Sequence, residues 1–323
     1  MLKLIVSDWI DYHVSLDASR EFEKAIIELS QNDIIIKHSS KLICASFYIL
    51  YRLLKKIKIF RFLSLLISKG KKDKPGYFEV LMSANLQQCL PYFISSSYKS
   101  FYVFDAWEMS HKTLVEFAND FKVDNVFVSS SQVAEKLNSL GSNCKFHWIP
   151  EGINIKDYKF YEFRERNIDA IQIGRKYDEY HNLIVDQLNN SGKKYLFEKK
   201  KGELIFPTRA DFINGLASSK ISICFPSSIT HPKRSGQIET LTIRYLQSIA
   251  SKCIIVGHAP DEMIKIFGYN PVIEADMINP FDQLLSILKN YEQYFQLVEM
   301  NYQNLLRHQW SKRWEEIKEI IFA

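Results

Sequence analysis

Short apolar stretches alternate with segments of helical spacing along this chain, and the alternation runs through twice, with a break near Pro150. That pattern predicts α/β layers with parallel sheets, because a strand, a helix and a second strand in series close most readily as a parallel crossover unit. In the first series the predicted strands are 2–7, 33–37, 78–83, 101–104, 125–128 and 146–149. The predicted helices are 18–30, an apolar and basic stretch from 42, 110–121 with Ser110 as its cap, and 131–140, stopped by Gly141. The second series places strands at 170–173, 195–197, 221–225, 253–256 and 271–273. Its helices are expected at 177–189, 209–218, 240–251 and 261–267, with two or three more from Pro280. A chain of 323 residues accommodates two such domains of about 150 residues each.

The five cysteines, Cys44, Cys89, Cys144, Cys224 and Cys253, are odd in number and not at metal-ligand spacing. They read as buried, reduced thiols, which points to a cytoplasmic compartment. The N-terminal apolar stretch turns polar at Ser7-Asp8, too soon for a signal peptide.

The net charge is +5, and much of the excess sits between residues 41 and 74. There Lys41, Arg52, Lys55, Lys56, Lys58, Arg61, Lys69, Lys71, Lys72 and Lys74 face one acid, Asp73. These charges argue against a membrane-spanning helix. Ile43, Phe47, Leu50, Leu53, Leu54 and Ile57 share one side of a helical wheel, with Arg52, Lys55 and Lys56 opposite. The segment reads either as a core-facing helix with a solvated basic face or as a peripheral contact with anionic lipid on the inner face of the cell membrane. Interleaved aromatic platforms are missing, so nucleic acid is not expected as a partner.

The stretch from Ser227 to Gly257 is the most informative. His231-Pro232-Lys233-Arg234-Ser235-Gly236-Gln237 puts Gly, Ser and two cations just ahead of the predicted helix at 240, an arrangement that suits a diphosphate. Taken alone, it also reads as a solvated basic turn. With Glu239 and Gln247, this stretch resembles the nucleotide-sugar glycosyltransferases of two Rossmann-like domains, the large retaining group with a Glu-x7-Glu motif. Glu239 stands at the first acid and Gln247 at the second. Arg244 matches a subgroup with an Arg before the second position. Ile149-Pro150-Glu151-Gly152 resembles the family's interdomain Pro-x-Gly turn, and Ile173-Gly174-Arg175-Lys176 its Gly-Arg turn facing the diphosphate. Phe206-Pro207-Thr208 resembles its base cradle, and the last helix, with Trp310 and Trp314, the one that crosses back to the first domain. The resemblance covers roughly residues 125–320. Gln247 departs from it in place of an acid, Glu151 in place of a small amide, and a Gly-Gly turn near the N-terminus is missing.

The resemblance implies a GT-B fold: two Rossmann-like α/β domains facing a central cleft. The expected divisions are an acceptor domain at 1–155, a nucleotide-sugar domain at 156–305 and a terminal helix at 306–323. It implies sugar transfer from a nucleotide diphosphate sugar to a hydroxyl acceptor, a glycan or a lipid-linked sugar, with retention and without a metal or other cofactor; Gln247 in place of an acid leaves inversion open, with Asp105 or Glu108 as base. Donor binding falls to Gly174, Arg175, Lys176, Phe206, Lys233, Arg234, Ser235, Gly236, Thr240, Thr242, Arg244 and Gln247, with Glu239 holding the donor sugar. In the first half, Asp105 ends a strand and Glu108 and His111 follow, so each is a candidate proton acceptor. Trp107 and Asp8 are candidates for the acceptor wall. A nucleotide-sugar epimerase and a non-catalytic partner subunit are the alternatives.

Overall fold

The computed structural model describes residues 2–7, 9–10, 13–30, 34–60, 63, 75–94, 96–174, 176–200 and 202–323. Asp8 and Arg175, both expected at the site, lie outside the described residues, as do Arg61, Lys69, Lys71, Lys72 and Lys74 of the basic segment. The chain forms two compact units, Met1–Pro150 with Arg313–Ala323, and Glu151–Lys312.

The first unit is built on a parallel sheet of six strands: β1 (Leu2–Val6), β2 (Ile34–His38), β3 (Gly76–Met82), β4 (Lys99–Phe104), β5 (Asn125–Val128) and β6 (Lys145–Trp148). Their order is β2-β1-β3-β4-β5-β6. Leu4 pairs with Ile36 and Phe78, and Phe101 with Glu79 and Val126. β4 is buried along its whole length, as expected of a central parallel strand covered on both faces, whereas edge strand β2 is largely exposed. Helices α1 (Asp17–Leu29), α2 (Lys41–Lys56), α3 (Glu108–Phe121) and α4 (Ser131–Ser139) accompany the sheet. Phe22 of α1 is fully buried and meets the Tyr102 ring edge-on at 5.2 Å.

The second unit carries β7 (Ile168–Gln172), β8 (Tyr195–Phe197), β9 (Ser219–Cys224), β10 (Ile254–Gly257) and β11 (Ile273–Glu274), parallel, in the order β11-β10-β9-β7-β8. The helices are α5 (Asp178–Asn190), α6 (Arg209–Ala217), α7 (Ser227–Thr230), α8 (Pro232–Ser235), α9 (Ile243–Ala250), α10 (Asp261–Phe267), α11 (Pro280–Lys289), α12 (Phe295–Leu305) and α13 (Trp310–Phe322). Residues of α13 from Arg313 onward belong to the first unit. There Trp314 is fully buried against Phe78, ring centroids 5.1 Å apart, and its indole N–H donates to Ser30 Oγ at 3.0 Å. Within the second unit, Gly152 allows the chain to lie against the start of α13. A Cβ at that position would stand 2.9 Å from the Trp310 nitrogen.

Three local expectations are corrected. The helix expected from Ser110 starts at Glu108. Ser110 lies in its first turn, where its hydroxyl donates to the Trp107 carbonyl at 2.7 Å instead of capping the helix. The helix expected from Thr240 starts only at Ile243. Residues 240–242 are held out of the helix because a neighbouring carboxylate, that of Glu262, takes the Leu241 N–H at 3.0 Å and the Thr240 hydroxyl at 3.1 Å. The basic loop at 231–237 is not open: it folds into α8, with Gly236 beyond it at φ +60°, a backbone conformation in which a Cβ is strained.

Candidate functional site

The chain leaves β7 toward β8 on one side and takes up β9 on the other. In parallel sheets of this kind, ligands bind beyond the carboxyl ends of the strands at that reversal. Gly174 follows β7 there, with φ +71°, and Phe225-Pro226-Ser227 follows β9. Arg244, in the first turn of α9, donates Nη1–H to the Ile173 carbonyl at 3.2 Å. The same nitrogen would lie 3.4 Å from a Cβ placed on Gly174. The guanidinium is therefore seated on the turn at the end of β7, and its other N–H groups have no hydrogen-bond partner among the described residues. A half-buried cation with spare donors at a strand reversal is equipped to bind a phosphate or diphosphate.

Glu239 is placed by two donors. Ser228 of α7 donates its hydroxyl to Oε1 at 3.1 Å, and the Asp261 N–H at the start of α10 points to Oε2 at 3.3 Å. The carboxylate is thus a cap on α10 and a tether to α7, four residues ahead of α9 rather than at its start. Ser228 was not foreseen. Its one sequence signal is a Ser-Ser pair after a strand and a proline, the kind of site where a helix begins.

The N-terminus of α9 already faces an acid. Glu151, buried at 4% exposure, accepts the Ile243 N–H on Oε2 at 2.6 Å. The residue that departs from the family's small amide is therefore the one that satisfies this helix end, in the position where the sequence pattern expected the dipole to serve a diphosphate. The Thr242 hydroxyl, at the same helix end, is buried with no partner among the described residues.

The remaining expected donor residues divide into two groups. Lys176 is half-buried, its ammonium 5.0 Å from the Phe197 ring centroid. Lys233 and Arg234 are exposed in the last turn of α8. By contrast, Ser235 and Thr240 are turned inward. The Ser235 hydroxyl donates to the His231 carbonyl at 3.1 Å, and that of Thr240 is spent on Glu262. Gln247 is 2% exposed and its amide donates to the Tyr158 hydroxyl at 3.0 Å. Phe206 packs its ring on α6 at Gly215, where any side chain would collide with it.

In the first unit, Asp105 follows β4 with φ +51° and is half-buried, Glu108 is exposed at the start of α3, and Trp107 is buried. His111 is buried. Its Nε2 bonds to the Ala106 carbonyl at 3.0 Å, and a carbonyl can only accept, so the proton is on Nε2. Nδ1 then carries a free lone pair, without a partner among the described residues. Burial lowers the His111 pKa below the ordinary histidine value, more than the Ala106 bond and nearby Glu108 raise it.

A cavity of about 250 Å³ lies elsewhere in the second unit, walled by Phe160, Phe163, Arg166, Lys252 and Phe295 among others. Arg166 precedes β7 and Lys252 precedes β10, so this cavity opens at the amino ends of the strands, away from Gly174 and Arg244. Among the described residues, no group of three or more His, Cys, Asp or Glu side chains is placed to hold a metal ion, and no helix is long and apolar enough to cross a membrane.

No protein-family model matches the sequence, and no curated protein matches it. Solved structures do match its fold. Anabaena HepE, in complex with UDP and glucose, aligns over 100% of both chains with a TM-score of 0.59 at 10% identity. TarM aligns over 82% of this chain and 57% of its own, with a TM-score of 0.53 at 11% identity, so this chain spans little more than half the length of that protein. The α,α-trehalose-phosphate synthase (UDP-forming) of Burkholderia vietnamiensis aligns over 96% of this chain and 83% of its own, TM-score 0.51, identity 9%. The fold is that of the GT-B glycosyltransferases. Both sheets, each parallel with its interleaved helices, follow this GT-B plan as the sequence predicted, while the identities are low enough that the likeness is one of fold alone.

Proposed function

We propose that this protein is a glycosyltransferase that takes a sugar from a nucleotide diphosphate donor and passes it to a hydroxyl acceptor. The observation that carries the proposal is the seat of Arg244 on Ile173-Gly174, at the strand reversal of a sheet whose fold is shared with the UDP-bound HepE structure. Arg244, helped by Lys176 and the Gly174 turn, holds the diphosphate and stabilises the charge that builds on it as the sugar departs, a fixed electrostatic contribution. Glu239, oriented by Ser228, accepts hydrogen bonds from donor-sugar hydroxyls. No metal or other cofactor enters this reading.

In the first unit, exposed Glu108 and half-buried Asp105 are the groups an acceptor hydroxyl can reach as proton acceptors. His111 is neutral, with its tautomer fixed by Ala106, but its Nδ1 is enclosed, so His111 and buried Trp107 shape this region from beneath the surface. The acceptor is a bacterial surface glycan or a lipid-linked sugar in this reading, and retention follows the Glu-x7 resemblance.

The test is a thermal-shift and calorimetric screen of the full chain against nucleotide diphosphates and their sugars. A ligand at 100 times its Kd stabilises the folded state by about 2.7 kcal/mol, which shifts the melting temperature measurably. The expected result is a shift with at least one nucleotide diphosphate that is lost in Arg244→Ala. No shift with any member of the panel would overturn the reading.

A further inference from the structure

Among the described residues, the apolar stripe of α2 stays exposed instead of packing into the first unit. The helix docks through Cys44 and Tyr51, both buried, and through Lys55, whose ammonium bonds to Glu116 at 2.7 Å and Asp120 at 2.8 Å on α3. At about 100° per residue, Leu42, Ile43, Ile49, Leu50, Leu53 and Ile57 fall on a different side. All six are exposed, with Leu42 at 80%, Leu53 at 56% and Ile57 at 60%. Single exposed apolar residues need no explanation, but a continuous stripe along four turns of helix marks a contact surface.

The charge around the stripe identifies the partner. Lys41, Arg52, Lys56 and Lys58 are exposed, and the sequence holds no acid between Lys41 and Lys72. Among the described residues, Lys55 is the one cation of α2 that pairs with acids, and it is on the packed side. A second copy of this chain fits poorly, because a two-fold contact through the stripe would bring like-charged borders together. An apolar stripe edged by unneutralised cations matches the boundary of a bilayer with anionic headgroups, where the apolar side chains enter the acyl region and the cations meet phosphates.

We propose that the exposed face of α2 seats this protein on an anionic membrane surface, with Leu42, Ile49, Leu53 and Ile57 inserted and Lys41, Arg52 and Lys56 on the headgroups. The arrangement does not depend on the sugar-donor reading, though it would bring a lipid-linked acceptor within reach of such an enzyme.

The full chain is tested by flotation with vesicles of phosphatidylcholine alone and of phosphatidylcholine mixed with phosphatidylglycerol. Binding is expected to the mixed vesicles, to weaken in high salt, and to be absent from the neutral ones. Arg52→Glu with Lys56→Glu should lower the partition coefficient by at least about tenfold, since each cation near such a surface contributes measurably. Leu53→Ser with Ile57→Ser should abolish flotation while leaving the melting temperature unchanged, because both side chains are already in solvent. Equal binding of wild type and both double variants, or no binding by wild type, overturns the proposal. So does a concentration-dependent dimer of wild type, seen by light scattering without lipid, that the Ser variant breaks. The nucleotide thermal shift, run on the same proteins, separates this outcome from a failure of the donor reading.

Discussion

Arg244 in the first turn of α9 and Ile173 at the end of β7 are joined by one hydrogen bond, Nη1–H to carbonyl oxygen, at 3.2 Å. The two residues are 71 positions apart, and their contact places the guanidinium over the Gly174 turn. Arg244→Ala should weaken nucleotide diphosphate binding by about 10- to 100-fold, the value of one charge-assisted interaction of roughly 1.5–3 kcal/mol. Arg244→Lys should recover only part, since a point charge cannot bond Ile173 and a diphosphate with the same planar geometry. Calorimetric Kd values decide it. An unchanged Kd in the Ala variant would remove Arg244 from the site.

Glu239 has two jobs in this structure, and they can be separated. As a cap on α10 its carboxylate contributes about 1 kcal/mol to stability. Glu239→Gln keeps its one oxygen for the Asp261 N–H and can donate its NH2 to the Ser228 hydroxyl, so its melting temperature should stay near that of wild type, whereas Glu239→Ala should melt lower. Sugar transfer should fall in both, by more than the stability change explains. If Glu239→Gln transfers sugar as well as wild type, the acid is a cap and nothing more.

Much of this was legible in the sequence, for identifiable reasons. The central strands are continuous apolar runs, as Phe101-Tyr102-Val103-Phe104 shows, and such runs report burial directly. Gly174 and Arg244 are marked by the family resemblance alone, and the structure brings the two together. What stayed hidden depends on partners far along the chain. Residues 240–242 carry no local sign that Glu262 will claim their donors, so the sequence predicts a helix start at Thr240. Glu151 stands 92 residues from the Ile243 N–H that it caps. The inward turn of Ser235 and Gln247 is likewise set by His231 and Tyr158, and residue type alone gives no direction. For α2 the wheel groups Ile43, Leu50, Leu53 and Ile57 of the exposed stripe but misses Leu42 and Ile49 and includes half-buried Leu54; amphipathicity cannot say which side faces the protein, and here Cys44 and Tyr51 decide it.

Glu79 offers a pH test in the first unit. It lies in the middle of β3 at 1% exposure, with a long 3.5 Å bond from the Ser7 hydroxyl and a second from the Cys89 thiol, and burial pushes its carboxyl well above the ordinary range in spite of both. The folded protein keeps this proton after the unfolded chain has lost it. Stability from Glu79 is therefore complete below about pH 4.3 and declines as pH rises toward the folded-state value, by up to about 1.4 kcal/mol per unit. Glu79→Gln removes that decline. Its melting temperature should match wild type near pH 4 and exceed it at pH 8, and a difference that does not grow with pH would show the carboxylate to be ionised in the fold.

Gln247→Glu would complete the Glu-x7-Glu spacing that the sequence resembles, and the structure predicts that this is harmful. Position 247 is 2% exposed, and its amide donates to the Tyr158 hydroxyl. An ionised carboxylate has no proton to donate there and would be desolvated, so its pKa must rise. The sign is that of Glu79: the variant should approach wild-type stability near pH 4 and lose roughly 1–3 kcal/mol by pH 8, the cost of burying the charge. Donor affinity should not improve, because a side chain enclosed against Tyr158 has no access to a ribose. Tighter nucleotide binding by Gln247→Glu, with an undiminished melting temperature at pH 8, would mean that residue 247 faces the donor and that its bond to Tyr158 gives way when the nucleotide is bound.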